Sequence, residues 1–552
     1  RGPVGDQHVR RVSLSRGRRR AVQLAIVAGV AGVAAGGTIA ASTSAFHPVA
    51  PADYREAVVA PHRPLTLDPL FGRDDAAVRD VGHLLYRSLL RLGADSRPTG
   101  DLAATWTVSS DGHTYAFSLL AGGHWSDGSA LTARDVAATV SLVQSSDFPD
   151  AQLADAWKDV AVTVDSPTAV TMRLRRPRGS FAVAVAELPI LPTAAIAQPA
   201  AQLARTATRP LPTSGPYRVA SADAVTVRLA TNPHAQRAPP MRTVELRLVS
   251  SFEEALRLYA AGQTDSLLTT TAGQRAEAAS VPGTRLHDML GFGTVQLLFN
   301  TAGQGAGLDQ PAVRHAIAFA VDRRALVAAV LPGAGVPQPD PIPLGVRWVP
   351  HPAVPAADAA LAARTLDAAG WTLPVPDGVR IRQTGRLVER LMVSDEEPLP
   401  AVARHLARQL RAIGIQVEVD LVRPALFYEM LTSPVKQYDM ALAHVDSGPD
   451  PDVSSQWRSD EIPPKGLNVT GLKADFVFDR ALDRLAMETD PRLRRAAVDE
   501  VDRDLAASAP AVFLYAPLVS VAASDSLILP LPASGTSAQR YELIAAWRRL
   551  SR

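Results

Sequence analysis

The sequence predicts a mixed α/β fold of two or three domains behind a single apolar N-terminal helix. Three observations carry this. A chain of 552 residues, 47% of them hydrophobic, is too long for one hydrophobic core. Along it the apolar spacing switches repeatedly between the helical and the strand period. The stretch Asp101 to Val136 also compresses three turns and a helix start into one short segment.

The elements follow in order. From Ala21 to Phe46 no residue is charged. The run AVQLAIVAGVAGVAAGGTIAAS, about 22 residues or roughly 33 Å as a helix, is long enough to span a bilayer. Arg10, Arg11, Arg16, Arg18, Arg19 and Arg20 precede it, so residues 1–20 are expected on the cytoplasmic side and everything after Ala45 outside. Two readings of 21–45 stay open. One is a cleaved signal peptide with Thr43-Ser44-Ala45 as its small-residue site. The other is an uncleaved signal anchor, which Gly29, Gly32, Gly36 and Gly37 weaken. Arg10-Arg11 before Leu14 resembles a twin-arginine signal, a pattern that Ser13 and Ser15 break.

Val58–Leu70 ends in the turn-like Leu67-Asp68-Pro69, and its reading as a first strand rests on the resemblance given below. Ala77–Leu92 reads as an amphipathic helix, with Val81, Leu84, Leu85 and Leu89 at helical spacing. Ala104–Val108 and Thr114–Leu119 form a hairpin around Asp111-Gly112. Gly122-Gly123 and Asp127-Gly128 mark further turns. Thr132, three residues before Asp135, is placed to cap a helix through Val136 and Val140. Val160–Leu174 alternates as two strands around Asp165-Ser166-Pro167. After the turn in PTSGPYRV (Pro212–Val219) come strands at Asp223–Ala230 and Thr243–Leu248. Phe252–Ala261 is a helix, Val295–Asn300 a buried strand, and Asp309–Leu331 two abutting helices. Leu361–Trp371 is a helix stopped by Gly370. Pro398–Val422 is the plainest helix-to-strand unit: Val402, Leu406, Leu410 and Ile413 line one face, Gly414 ends it, and Ile415, Val417 and Val419 alternate. Met440–Val445 is a strand and Pro510–Val521 a terminal strand, while Asn468–Leu485 is expected as a helix by the resemblance given below.

Composition excludes several functions. Residues 1–20 hold seven Arg against Asp6, a net +6, so residues 21–552 net −4 within a whole-chain charge of +2. A body of that sign lacks the basic face that nucleic acid requires. Cys is absent, which excludes disulfides, thiolate metal sites, a cysteine nucleophile and a lipidated N-terminal Cys. Among 57 basic residues only Lys158, Lys436, Lys465 and Lys473 are lysines, a bias typical of GC-rich, for instance actinobacterial, genomes. Gly303-Gln304-Gly305-Ala306-Gly307 has the context of a phosphate loop, but Leu308 breaks the dinucleotide pattern and no Gly-Lys-Ser/Thr follows. Asp450, Asp452, Ser454 and Glu461 fall at four positions of a calcium loop, with Ser455 where the sharp-turn Gly belongs. His113 and His124 straddle the hairpin and could approach one another. No HExxH, GxSxG or other catalytic constellation is present, so no enzyme and no cofactor are expected.

The order LA–W–DG–Y–F–L–W–DG–LTA–DV within 101–136 closely resembles one family. So do Leu67-Asp68-Pro69, the PTSGPY turn, Gly262-Gln263-Thr264-Asp265 and the run DQPAVRHAIAFAVDRRAL from Asp309. That family is solute-binding protein family 5, the substrate-binding proteins of peptide- and nickel-type ABC transporters. The resemblance runs from about Val58 to about Ala523. It implies a two-lobed type II periplasmic-binding-protein fold with an extra small domain. The implied division is lobe I at 52–75, 185–290 and 510–552, the small domain at 76–184, and lobe II at 291–509. The implied function is an extracytoplasmic, monomeric binding component that delivers a small solute, a short peptide above all, to a membrane permease driven by a cytoplasmic ATPase. The alternative is a relative that has lost transport and binds a lipid or glycolipid or regulates envelope synthesis. In peptide-binding members a strand of the second lobe pairs with the ligand, and an Asp just after it holds the α-amine. Here that Asp corresponds to Asp446, or to Ser447 if the one extra residue before Asp450-Pro451-Asp452 shifts the match. His444 and Tyr515 are the other residues the resemblance places at the cleft. No metal ligands are expected.

Overall fold

The computed structural model describes residues 53–303, 307–375, 378–383, 385–473 and 476–550. The expected N-terminal tail and apolar helix, and the centre of the glycine loop at 304–306, lie outside the described residues. Among the described residues no helix is long and apolar enough to cross a membrane.

The first half of the body opens with β1 (Tyr54–Val59) and α1 (Ala76–Leu85). The strand lies earlier than the resemblance at 58–70 suggests, because Pro61 and Pro64 have no N–H to give a ladder. Helix α1 stops at Leu85 rather than Leu92. The Gly215 N–H takes the Leu85 carbonyl at 2.8 Å, and Leu90–Leu92 instead pairs with Pro98–Gly100. Next come β2 (Ala103–Val108), β3 (Thr114–Leu119), α2 (Ala133–Val143), α3 (Ala151–Trp157), β4 (Val160–Ser166), β5 (Ala169–Leu174) and α4 (Phe181–Ala186). The four strands form a separate antiparallel sheet in the order β2-β3-β5-β4. Gly112 turns the β2–β3 hairpin at φ +70°, a conformation that costs glycine no Cβ clash. Thr132 and Asp135 close a capping box on α2. Asp135 Oδ1 also accepts the Thr193 N–H and hydroxyl, both at 2.8 Å, tying this sheet to the chain that follows.

The chain continues through β6 (Tyr217–Ala222), β7 (Thr226–Thr231), β8 (Thr243–Val249), α5 (Phe252–Ala260), β9 (Ser266–Thr269) and β10 (Thr284–Leu290). Two lobes share one long path of strands. After β10 the chain crosses at Gly291-Phe292 into β11 (Gly293–Phe299), buried at every residue. There follow α6 (Pro311–Ala320), α7 (Arg323–Val330), β12 (Gly335–Pro337), α8 (Ala359–Ala368), β13 (Val388–Ser394), α9 (Leu399–Arg411), β14 (Gln416–Val422), α10 (Pro424–Leu431), β15 (Met440–Asp446), α11 (Phe476–Met487), α12 (Pro491–Ser508) and β16 (Ala511–Ser524). The expected helix at 468–485 begins later, at Phe476, because Asn468 folds back to the Arg458 and Leu472 carbonyls.

The strand order is β14-β13-β15-β11-β16-β9-β1-β8-β7-β6, with β10 and β12 also paired to β16. Strand β16 is the bridge. Its residues Ala511–Tyr515 pair with β11, and its residues 518–524 pair with β10 and β9. The two lobes are therefore joined at Gly291-Phe292 and near Tyr515–Leu518. Separate apolar clusters fill the two sides. One around Leu297, Ile317, Leu406 and Leu442 lies in lobe II; one around Val81, Phe117, Trp125 and Leu246 joins lobe I to the small sheet.

Candidate functional site

Strand β15, MALAHVD, is buried through Ala443 and emerges at His444. Its whole length pairs antiparallel with β11, Val295 facing His444 and Gly293 facing Asp446. On its other edge β13 reaches only Met440–Leu442. Residues 443–446 therefore have no ladder partner on one sheet edge, close to the crossing at Gly291-Phe292. An open edge of this kind is a template for an extended chain.

Asp446 is exposed there, and its Oδ1 accepts the Gly448 N–H at 3.1 Å. The neighbouring Ser447 is held differently. Its N–H bonds the Phe292 carbonyl at 3.2 Å, and its hydroxyl accepts from Gln456 Nε2 at 2.9 Å. Asp446 thus has carboxylate capacity left for a ligand, whereas the Ser447 hydroxyl is engaged by its own lobe.

His444 is also exposed. Its ring lies across Gly293, where an added Cβ would stand 2.2 Å from Nε2. The surrounding walls lower its basicity, and Asp446 opposes them. His444 lines a cavity of about 360 Å³ together with Ser394, Glu396, Phe427, Tyr428 and Tyr515. Tyr515 is only 1% exposed. It pairs with Val295, sits in the lobe II core, and has its phenol pushed well up by burial. It borders the cavity as a packing residue.

Across the cleft stand groups that sequence reasoning did not single out. Glu187, just past α4, is exposed and lines a cavity. The surrounding walls push its carboxyl up; Arg73 pulls it down, and Asp446 and Asp450 push it further up. Arg73 lies in the loop after Leu67-Asp68-Pro69, and it and Glu187 line two adjoining cavities of about 650 and 190 Å³. The sequence signals were slight: a lone acid closing the apolar run FAVAVAE, and an Arg in FGRDD after the turn.

Asp450 serves the fold. Both of its oxygens accept from Arg494, one at 2.9 Å, in a pair with side chains 5% and 10% exposed. Asp452 accepts the Ser454 N–H at 3.0 Å. The calcium-loop pattern is thus spent on an ion pair and a turn. Among the described residues no group of three His, Asp or Glu is placed to hold a metal. His113 and His124 do not pair with one another. His113 Nδ1 bonds the Leu174 carbonyl at 2.9 Å, and His124 lies against His234 at 5.7 Å between ring centroids.

A family model described as bacterial extracellular solute-binding proteins, family 5, matches residues 97–461. Protein XP55 of Streptomyces lividans is 28% identical over 515 residues, 92% of each chain. The oligopeptide-binding protein OppA of Mycobacterium tuberculosis is 28% identical over 402 residues, 68% of this chain and 65% of that one. The fold superposes with TM-score 0.63 on the oligopeptide-binding protein AppA of Bacillus subtilis in complex with a nonapeptide. That match has 20% identity and covers 90% of this chain and 99% of that one.

Proposed function

The chain belongs to the bacterial extracellular solute-binding proteins of family 5, and from that premise we propose that its solute is a short peptide. As a member it is the substrate-binding component of an ABC importer, taking a small solute between two lobes and delivering it to the permease. The observation that carries the peptide reading is the open edge at 443–446 beside an exposed Asp446. A peptide main chain can add to that edge as a strand, and its α-ammonium can then pair with the Asp446 carboxylate. His444 flanks the same edge, and Tyr515 shapes the wall behind it.

The protein does this without chemistry of its own. What it needs is a ligand that binds the closed arrangement better than the open one, so that binding shifts the population of the form that docks on the permease. It works as a monomer outside the cytoplasmic membrane, to which residues 21–45 direct or attach it. The uncharged run and the arginines before it support that placement. The likeness to OppA and AppA, named for oligopeptides, supports the peptide class.

The test is native mass spectrometry of the purified protein with its co-purified ligand, followed by calorimetry on Asp446→Ala. A ladder of short peptides is expected in the wild type. The variant should lose about 2–5 kcal/mol of peptide affinity, the cost of truncating one partner of a charge pair that ligand and lobe closure bury. Unchanged peptide affinity would remove Asp446 from the site and leave the fold untouched.

A further inference from the structure

The cavity of about 360 Å³ beside His444 has a lopsided lining. Strand β13 last meets β15 where Val393 faces Leu442. Residues 394–399 continue from there and form one wall of the cavity together with Tyr428. Among the described residues no Lys or Arg lines it, whereas Glu396 and Glu397 both do, and both are exposed. Glu397 meets Arg404 at 3.7 Å, a loose pair between two exposed side chains that is worth little in water. Glu396 has no ion pair with any described cation. His444 brings no opposing charge, because burial lowers its basicity. The rest of the lining is apolar: Val295, Leu331, Phe427 and Tyr515 are each at most 2% exposed. Tyr428 departs from that pattern. It is 57% exposed, and its ring is held edge-on to Phe427, 5.7 Å between centroids with the planes at 84°. An open aromatic face and an unopposed carboxylate next to apolar walls suit a long side chain with a cationic tip. The methylene stem covers the apolar surface, and the head meets the acid and the ring.

The strand edge fixes which ligand residue reaches this place. With the α-ammonium at Asp446, a peptide added along 443–446 runs back toward His444, two residues or about 6.6 Å away. Residues two apart on a strand share a face. The ligand residue beside His444 is therefore the third from the ammonium, on the same side as the first. Resting on the peptide reading above, we propose that this cavity selects peptides whose third residue is basic, with Glu396 and Tyr428 as the residues that set the preference.

The experiment titrates synthetic tetrapeptides Ala-Ala-X-Ala, with X as Arg, Lys, norleucine or Glu, into the full chain by calorimetry. The register control is the pair Ala-Arg-Ala-Ala and Ala-norleucine-Ala-Ala. The wild type is expected to bind the Arg and Lys peptides at least about tenfold more tightly than the norleucine peptide, the fold-change of one charge-assisted hydrogen bond, and the Glu peptide most weakly. The control pair should show no such difference. Glu396→Gln should remove most of the Arg-to-norleucine ratio, and Tyr428→Leu should lower it about threefold. Equal wild-type affinity for the Arg and norleucine peptides overturns the assignment while peptide binding stands. So does a ratio that survives Glu396→Gln, or a preference found in the control pair alone. If the wild type binds none of the tetrapeptides, the peptide reading itself fails and this preference with it.

Discussion

Replacing Asp450 by Ala should loosen the seam between the small sheet region and lobe II without touching the ligand edge. Arg494 on α12 gives both terminal nitrogens to Asp450, reaches the Gly179 carbonyl at 3.2 Å, and lies over the Trp348 ring at 5.5 Å. Both charged side chains are at least nine-tenths buried. Without Asp450 the guanidinium keeps one backbone acceptor and a ring, and its charge stays enclosed. Breaking a buried pair by removing one partner costs about 3–5 kcal/mol, most of it the stranded charge. A chain of two lobes does not unfold in one step, so a single unfolding midpoint would blur this. Hydrogen exchange at the amides of residues 178–184 and 491–497 reads it locally. Protection there should fall by about two to three and a half orders of magnitude, since each 1.4 kcal/mol is tenfold, while β13 and β14 keep theirs. The double variant Asp450→Ala/Arg494→Met, which leaves no charge to strand, should recover much of the loss. A drop of less than about threefold in Asp450→Ala, or a double variant as weak as the sum of the singles, would refute the reasoning.

Other expectations follow from the same geometry. Glu389 on β13 is fully buried, neither carboxylate oxygen has a partner among the described residues, and burial, then Asp439 and Asp309, push its carboxyl up to about 8. Its folded value is raised, so its contribution is fully present below the unfolded value near 4.5 and is lost as pH rises through about 8. Stability should fall by up to about 5 kcal/mol over that window at 1.36 kcal/mol per unit, and Glu389→Gln should flatten that part of a thermal-midpoint profile between pH 5 and 9. Asp502, raised to about 8 mainly by burial, adds a similar slope that the variant leaves in place. Gly215 packs so tightly that a Cβ would stand 2.7 Å from the Leu84 carbonyl oxygen and the Leu85 carbonyl carbon. Gly215→Ala should therefore cost about 1–3 kcal/mol by overpacking, seen as a lower urea midpoint at unchanged slope; an unshifted midpoint would show that α1 can yield.

The elements whose identity depends on local pattern were legible in the chain. The Val402–Ile413 stripe ended by Gly414 became α9, whose Val402, Leu406 and Leu410 are all buried. The Thr132–Asp135 spacing became a capping box, and the Asp111-Gly112 turn a hairpin. Such features are set by periodicity and turn chemistry within a few residues, which the sequence states directly. Boundaries decided by distant partners were not legible. α1 ends at Leu85 because Gly215, far along the chain, takes its last carbonyl, and nothing near Leu89 announces this.

The site divides in the same way. By itself the sequence determined the family, many of the strands and helices though not the helix Pro491–Ser508 or the strands Thr284–Leu290 and Val388–Ser394, and an acid after a buried strand, because these live in local spacing and in a continuous run of motifs. Tertiary structure alone decided which edge of β15 stays open, since that depends on β13 reaching no further than Leu442. It also decided that Asp450 would be consumed by Arg494, and that Arg73 and Glu187, separated by more than a hundred residues, would line the same cavities. Charges of this kind acquire a role only through what surrounds them, and burial and partnership are properties of the folded arrangement rather than of the chain.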